Sequence, residues 1–349
     1  VFIHSWRMDL IFLISDIGTR FALNSGKSNF LIERIKRLVV PFVFGIIFVI
    51  PPQKYIEAIN FHGFNGSYFD FLMVWPSIAF SFNFGSSLML WFGHLGAHIY
   101  YLPYLFVMTF LLVYLHKLYG ILRIKAEYIK RIILSKYGVF TLVLPIWISR
   151  YLLTPVFPMY TDWADFFSYF WIFLYGFALI KDENFIRRMK DNMNGFLITG
   201  VIASAAGLYM FYGGGISLFG SEQSEFGIAA GIKCLITALS AFSWVMFFLG
   251  LAAKKLNLNS RISTTANSAI LPVYILHQTI IILAGYFILP MQLNITAKFI
   301  LLSAVSIPLS YAGYLIIRKS SILRFMFGMK PEKPKKIESE KLISTFSET

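Results

Sequence analysis

Few residues in this chain can move a proton or hold an anion, and most of them fall inside apolar runs, where an ionisable group needs a reason. His277 lies about ten residues into the run 267–289, beside Gln278, near the middle of a segment long enough to cross a bilayer. An imidazole there is either a neutral structural group hydrogen-bonded across helices or a general base. His94 and His98 flank another run, just before Tyr100, Tyr101 and Pro103. A spacing of four suits two metal ligands, but no third ligand stands nearby, so no metal site is expected. Asp9, Asp16 and Arg20 occupy a third run, and separations of seven and four place all three on one helical face. Either Asp16 and Arg20 pair toward the interior of a bundle, or the group takes a direct part in chemistry. Arg34 and Arg37, three apart, open a fourth run and project from one side at its end. They are either a topology signal or a fork of planar donors for phosphates. There is no phosphate-binding glycine loop, no G-x-S-x-G elbow and no HExxH.

The elements that must position these groups are membrane helices. Hydrophobic residues make up 57% of the chain and charged residues 14%, with mean hydropathy +0.68. A soluble domain carries about 25% charged residues, so an all-α polytopic membrane bundle is expected. Reading apolar blocks between polar breaks predicts about nine transmembrane helices, near 8–23, 34–50, 99–116, 137–153, 165–181, 195–212, 227–252, 267–289 and 296–317. The aromatic stretch 62–92, broken by Gly63, Gly66, Pro76 and Gly85, reads as an interfacial or re-entrant segment. Residues 1–325 form one membrane domain, and 326–349 form a Lys/Glu/Ser/Pro-rich tail expected to be disordered. The single cysteine, Cys234, excludes an intrachain disulfide.

The net charge of +14 is distributed by loop. Lys and Arg gather around 20–37, 117–136, 181–190, 254–261 and the tail, while 154–164, 213–226 and 290–295 have none and 51–98 has only Lys54. The positive-inside rule puts the basic loops and the C-terminus in the cytoplasm, so the charge orients the chain and calls for no nucleic acid; the bilayer is the partner. On this map Val1 falls outside, and the simpler topology has one more helix before it, about ten in all with both ends cytoplasmic.

Several segments resemble the acyltransferase 3 family of bacterial inner-membrane proteins, and within it the branch of the glucans biosynthesis protein C. FIHSWRMDLIFLISDIG (2–18) is similar to the family's F-R-M-P-L-F-F-x-I-S-G segment. ERIKRLVVPFVFG (33–45) matches its R-x-x-R-x-x-x-P motif through Arg34, Arg37 and Pro41, followed by Pro51, Pro52 and Gln53. HIYYLPYL (98–105) resembles H-L-W-F-L, and Trp171–Gly176 and Phe242–Gly250 resemble its F-x-x-x-G helix ends. PVYILHQT (272–279) resembles P-x-Y-x-x-H-Q. The segments run in family order from residue 2 to about 317.

The resemblance implies an acyltransferase that uses acyl-CoA, acetyl or succinyl, at the cytoplasmic face and acylates a hydroxyl of an extracytoplasmic glycan. No cofactor would be permanently bound. Arg34 and Arg37 would hold CoA phosphates, His277 would line the transfer path and His98 would stand near the acceptor entrance. The family's main base is a His in an Arg-x10-His arrangement in its first helix, expected upstream of Val1; a chain without it is expected to be inactive. Asp9 replaces the family's usual Pro, and Asp16 stands where the family has Gly after Ser15, so either Arg7 or Arg20 compensates or this copy is degraded. The alternatives are a transporter or exporter using Asp9, Asp16 and His277 for ion coupling, or an inactive truncated remnant. Two halves with matching interrupted helices, the transporter signature, are not visible.

Overall fold

The structure, a computed structural model, describes residues 3, 6–24, 30–80, 87–119, 126–212, 226–255 and 261–330. Among them every regular element is helical and none is a strand. In chain order they are α1 (Arg7–Asn24), α2 (Phe30–Phe61), α3 (Tyr68–Phe80), α4 (Leu88–Gly96), α5 (Tyr101–Tyr119), α6 (Ala126–Ile133) and α7 (Val143–Leu153). They continue with α8 (Trp163–Leu179), α9 (Glu183–Asp191), α10 (Met193–Tyr212), α11 (Ile228–Lys255), α12 (Arg261–Ile288), α13 (Ile295–Ile317) and α14 (Ser321–Met326).

All nine expected segments are helical, and six are long and apolar enough to cross a membrane: Phe30–Phe61, Leu88–Leu115, Met193–Met210, Ile228–Lys255, Asn267–Ile288 and Ile295–Ile317. Gly138–Leu153 and Trp163–Leu179 are apolar but shorter, and α1 carries Asp9 in its first turn. The bundle is apolar outside as well as inside: on α13, Phe299, Ile300, Ile307 and Ile316 are exposed. A helix that shows such a face to water would be a liability, whereas one that shows it to lipid is at home.

Two expected boundaries change. The second helix does not stop at residue 50 but runs through Pro51 and Pro52 to Phe61. Two π turns, Ile35–Val39 and Gly45–Val49, interrupt its α geometry, and the second closes on a bond from the Ile50 amide to the Gly45 carbonyl. Beyond it the prolines occupy the first turn of a fresh α segment, where a missing N–H costs little. The 62–92 stretch contains two helices, α3 and α4; residues 81–86 lie outside the described ones. Phe71, Trp75 and Ala79, four apart, form the buried stripe of α3, and the Trp75 indole donates to the Ile46 carbonyl of α2 at 3.2 Å.

Two cores are built side by side, and α1 runs between them. Phe12 belongs to a cluster with Met89, Tyr104, Phe166 and Ile275, while the next residue, Leu13, belongs to one with Ile172, Phe185, Phe196 and Phe242. Burial on both sides makes α1 a strut of the bundle despite its charges. Packing continues past residue 325: Phe327 is buried, and Gly328 ends α14 at φ 66 with its backbone against Arg37 and Pro41. The tail 331–349 lies outside the described residues.

Candidate functional site

α4 ends at Gly96, and Ala97 takes a left-handed φ of 44° that turns the chain through a single 3₁₀ turn, Ala97–Tyr100, into α5. Pro103 falls in the opening turn of α5, where its ring is tolerated. His98 sits in this turn. Its Nε2 lies 3.0 Å from the Ile275 carbonyl of α12, and the Tyr274 hydroxyl donates to the His98 carbonyl at 2.5 Å. Side chain to backbone in both directions, these bonds clamp the turn to α12. A carbonyl only accepts, so Nε2 carries the hydrogen and Nδ1 carries the lone pair. That Nδ1 is buried and has no hydrogen-bond partner among the described residues.

His277 stands one turn further along α12, and its Nδ1 donates to the Tyr274 carbonyl at 2.6 Å, leaving Nε2 as its basic nitrogen. The two imidazoles, 179 positions apart in sequence, come together with ring centroids 5.4 Å apart and planes at 90°. Aromatic rings surround them: Tyr274 lies 6.1 Å from His98 and 5.7 Å from His277, and Tyr101 lies 5.5 Å from Tyr274. Arg7, at the start of α1, is within electrostatic reach of His277, Tyr274 and Tyr160.

A polar seam leads away from this pair. Tyr101 is hydrogen-bonded through its hydroxyl to Ser15 of α1. One turn along α1, Thr19 donates to the Ser15 carbonyl at 3.0 Å and accepts from the Arg34 guanidinium. Arg34 is buried and lies over the Phe30 ring at 5.5 Å; Arg37 is exposed. The π turn that begins at Ile35 lies between them, and both guanidinium groups stay within electrostatic reach of the Tyr101 hydroxyl. Thr279, two residues after His277, donates to the Val49 carbonyl of α2 at 2.8 Å. Arg34 is 15 residues back along α2, so at 1.5 Å per residue it lies roughly 20 Å from the level of the histidines.

Asp9 is 3% exposed and makes no ion pair within the described residues; the cation in electrostatic reach is Arg150 of α7. Arg150 pairs with Asp165 of α8 at 2.9 Å, and the other Asp165 oxygen accepts from the Thr161 amide at 3.1 Å. Arg150 is thus a cation in electrostatic reach of Asp9 that the sequence reading did not name. Sequence reasoning missed Arg150 and Asp165. Their signal was present: an Arg and an Asp flank the loop 154–164, at the ends of two apolar runs. The side chains of Asp16 and Arg20 lie outside the described residues, as does His4. His94 is exposed, and the break at Ala97 takes it off the helix face that His98 would share. Among the described residues no three His, Cys, Asp or Glu side chains gather to hold a metal ion.

The sequence profile of a family described as an acyltransferase domain (Acyl_transf_3) matches residues 1–315. No similar curated protein and no similar solved structure is found.

Proposed function

Since the chain belongs to this acyltransferase-domain family, we propose that it moves an acetyl or succinyl group from cytoplasmic acyl-CoA to a hydroxyl of an extracytoplasmic, glucan-like glycan. Its place is the bacterial inner membrane, with the C-terminus cytoplasmic. One observation carries the reading: the half-buried imidazole of His98 holds a buried Nδ1 lone pair, without a hydrogen-bond partner among the described residues, beside a second imidazole. In the reaction, Nδ1 of His98, rather than the upstream His that the resemblance implies, takes the proton of the acceptor hydroxyl as its oxygen attacks the thioester carbonyl carbon. The C–S bond of the tetrahedral intermediate then breaks, and the CoA sulfur leaves with that proton. His277, one turn away, lines the same path. Packed apolar and aromatic side chains exclude water that would otherwise hydrolyse the thioester.

Arg37, exposed near the start of α2, and the buried Arg34 beside it would meet the phosphates of the donor. The roughly 20 Å between them and the histidines suits a donor with a long flexible arm, whose charged end stays at the surface while its thioester reaches inward. The test uses proteoliposomes with radiolabelled acetyl-CoA or succinyl-CoA outside the basic face and a glucan opposite. Alkali-labile label on the glucan, dependent on the protein, is expected. Its absence with both donors would overturn the reading.

A further inference from the structure

The loop between α7 and α8 carries a tyrosine that its surroundings hold out for use. Thr161 is β-branched yet adopts φ 62°, a region such residues avoid because Cβ crowds the backbone. The conformation persists because three helices impose it. From α5, the Tyr104 hydroxyl donates to the Thr161 carbonyl at 2.6 Å. From α8, Asp165 accepts the Thr161 amide. From α4, Gly93 leaves room for the Thr161 side chain, which any Cβ at that position would overlap. The next residue, Asp162, is buried, caps α8 through the Trp163 amide and is hydrogen-bonded to Ser87, the N-cap of α4. So residues 161 and 162 are fixed and buried, while Tyr160 just before them is 53% exposed.

Tyr160 is not a loose surface ring. Its hydroxyl lies 2.9 Å from that of Tyr100, in the turn that carries His98, and Tyr160 and His277 both feel the charge of Arg7. The hydroxyl is tied to the histidine turn, while about half of the residue is exposed. Strain of this kind, held by several neighbours, is characteristic of residues that bind or switch. An aromatic ring with a polar tip offers a flat apolar face together with a hydroxyl that both donates and accepts.

We propose that Tyr160 is the acceptor-positioning residue: the ring receives a sugar face of a polyhydroxylated acceptor, and the Tyr160–Tyr100 hydroxyl pair orients one acceptor hydroxyl toward the histidines. This rests on the acyl-transfer reading and adds to it the place where the acceptor binds. Tyr160 does not touch the transferred bond, so its loss raises the KM for acceptor and leaves donor binding unchanged.

The experiment measures binding and turnover separately on the purified full chain. Affinity for a β-linked gluco-oligosaccharide is measured by titration calorimetry for the wild type, Tyr160→Phe, Tyr160→Ala and Gly93→Ala. Consumption of acetyl-CoA and succinyl-CoA by the wild type is followed in parallel. The expected result is a loss of at least about tenfold in affinity for Tyr160→Ala and a smaller loss for Tyr160→Phe, which keeps the ring. Gly93→Ala, which drives a methyl group into Thr161 without altering Tyr160, weakens binding as well. Unchanged affinity in both Tyr160 variants, or no oligosaccharide binding by the wild type, overturns the proposal, and acyl-CoA consumption in that case leaves acyl transfer standing. Binding that depends on Tyr160 with no consumption of either donor supports the acceptor site and overturns acyl transfer instead.

Discussion

The imidazole of His98 stands perpendicular to that of His277 at a centroid distance of 5.4 Å, and each ring has one nitrogen fixed on a backbone carbonyl of α12. The remaining nitrogens, Nδ1 of His98 and Nε2 of His277, are the only ones available as bases. Replacing His98 with Gln keeps a donor for the Ile275 carbonyl but removes the lone pair. Transfer should fall by about 10²–10⁴-fold while the thermal midpoint holds. If the two rings act as a unit, the double variant with His277→Gln loses little more than the worse single one. Equal losses of stability and activity in His98→Gln would mark the ring as a structural clamp.

Arg37 and Arg34 should separate in their effects. Arg37 is exposed, so Arg37→Gln removes a charge-assisted contact to phosphate, raising the KM for acyl-CoA about tenfold with kcat little changed. Arg34 is buried and holds Thr19 of α1, so Arg34→Gln lowers the melting temperature as well. Steady-state kinetics with thermal unfolding in detergent distinguish the two.

Arg150 neutralises a site that contains two carboxylates. Removing it with Arg150→Leu takes from Asp165 its ion-pair partner and from the buried Asp9 the cation in its reach among the described residues, a change expected to cost about 3–5 kcal/mol. Asp9→Asn replaces a buried carboxyl group that has no direct ion pair among the described residues, and should be close to neutral. Chemical denaturation of the purified chain tests this contrast, and a destabilised Asp9→Asn alongside a tolerated Arg150→Leu would refute it.

Outside the spans, Lys130 of α6 bridges to Asp182 at 2.7 Å, and Asp182 also caps α9 through the Asn184 and Phe185 amides. The Lys130 hydrogen bond, helped by these amides, holds the Asp182 carboxyl below its ordinary value. A lowered folded value means the contribution is complete above the unfolded carboxylate pKa of about 3.9 and is lost as pH falls through the folded value. Amide exchange at Asn184 and Phe185, corrected for intrinsic rates, should lose protection at that low pH. In Asp182→Asn the step should vanish.

Helix existence was legible because apolar blocks of bilayer length have few other outcomes; His277 was legible as an ionisable group inside such a block, and His98 and Arg34 as ionisable groups at the ends of two others. Where these groups meet was not. The His98–Ile275 bond joins residues 177 positions apart, and its geometry depends on one left-handed residue, Ala97, whose type carries no signal for that conformation. The second helix runs on past residue 50, the expected end, because Pro51 and Pro52 fall in the first turn after a π turn, and a π turn leaves no mark in a hydropathy pattern. Arg150 escaped notice because it closes an apolar run near a loop, where a basic residue looks solvated; only the packing of α1 against α8 brings Asp9 into its field.

The two carbonyls that fix the histidines also close a route. An imidazole conducts protons when one nitrogen loads as the other unloads, but Nε2 of His98 and Nδ1 of His277 each face an oxygen with no proton to relay. A proton gained by either ring must leave by the nitrogen it arrived at. Neither ring is a step in a proton wire, so turnover with acetyl-CoA should be electrically silent: imposing a membrane potential or a pH gradient across proteoliposomes should neither drive that reaction nor be dissipated by it.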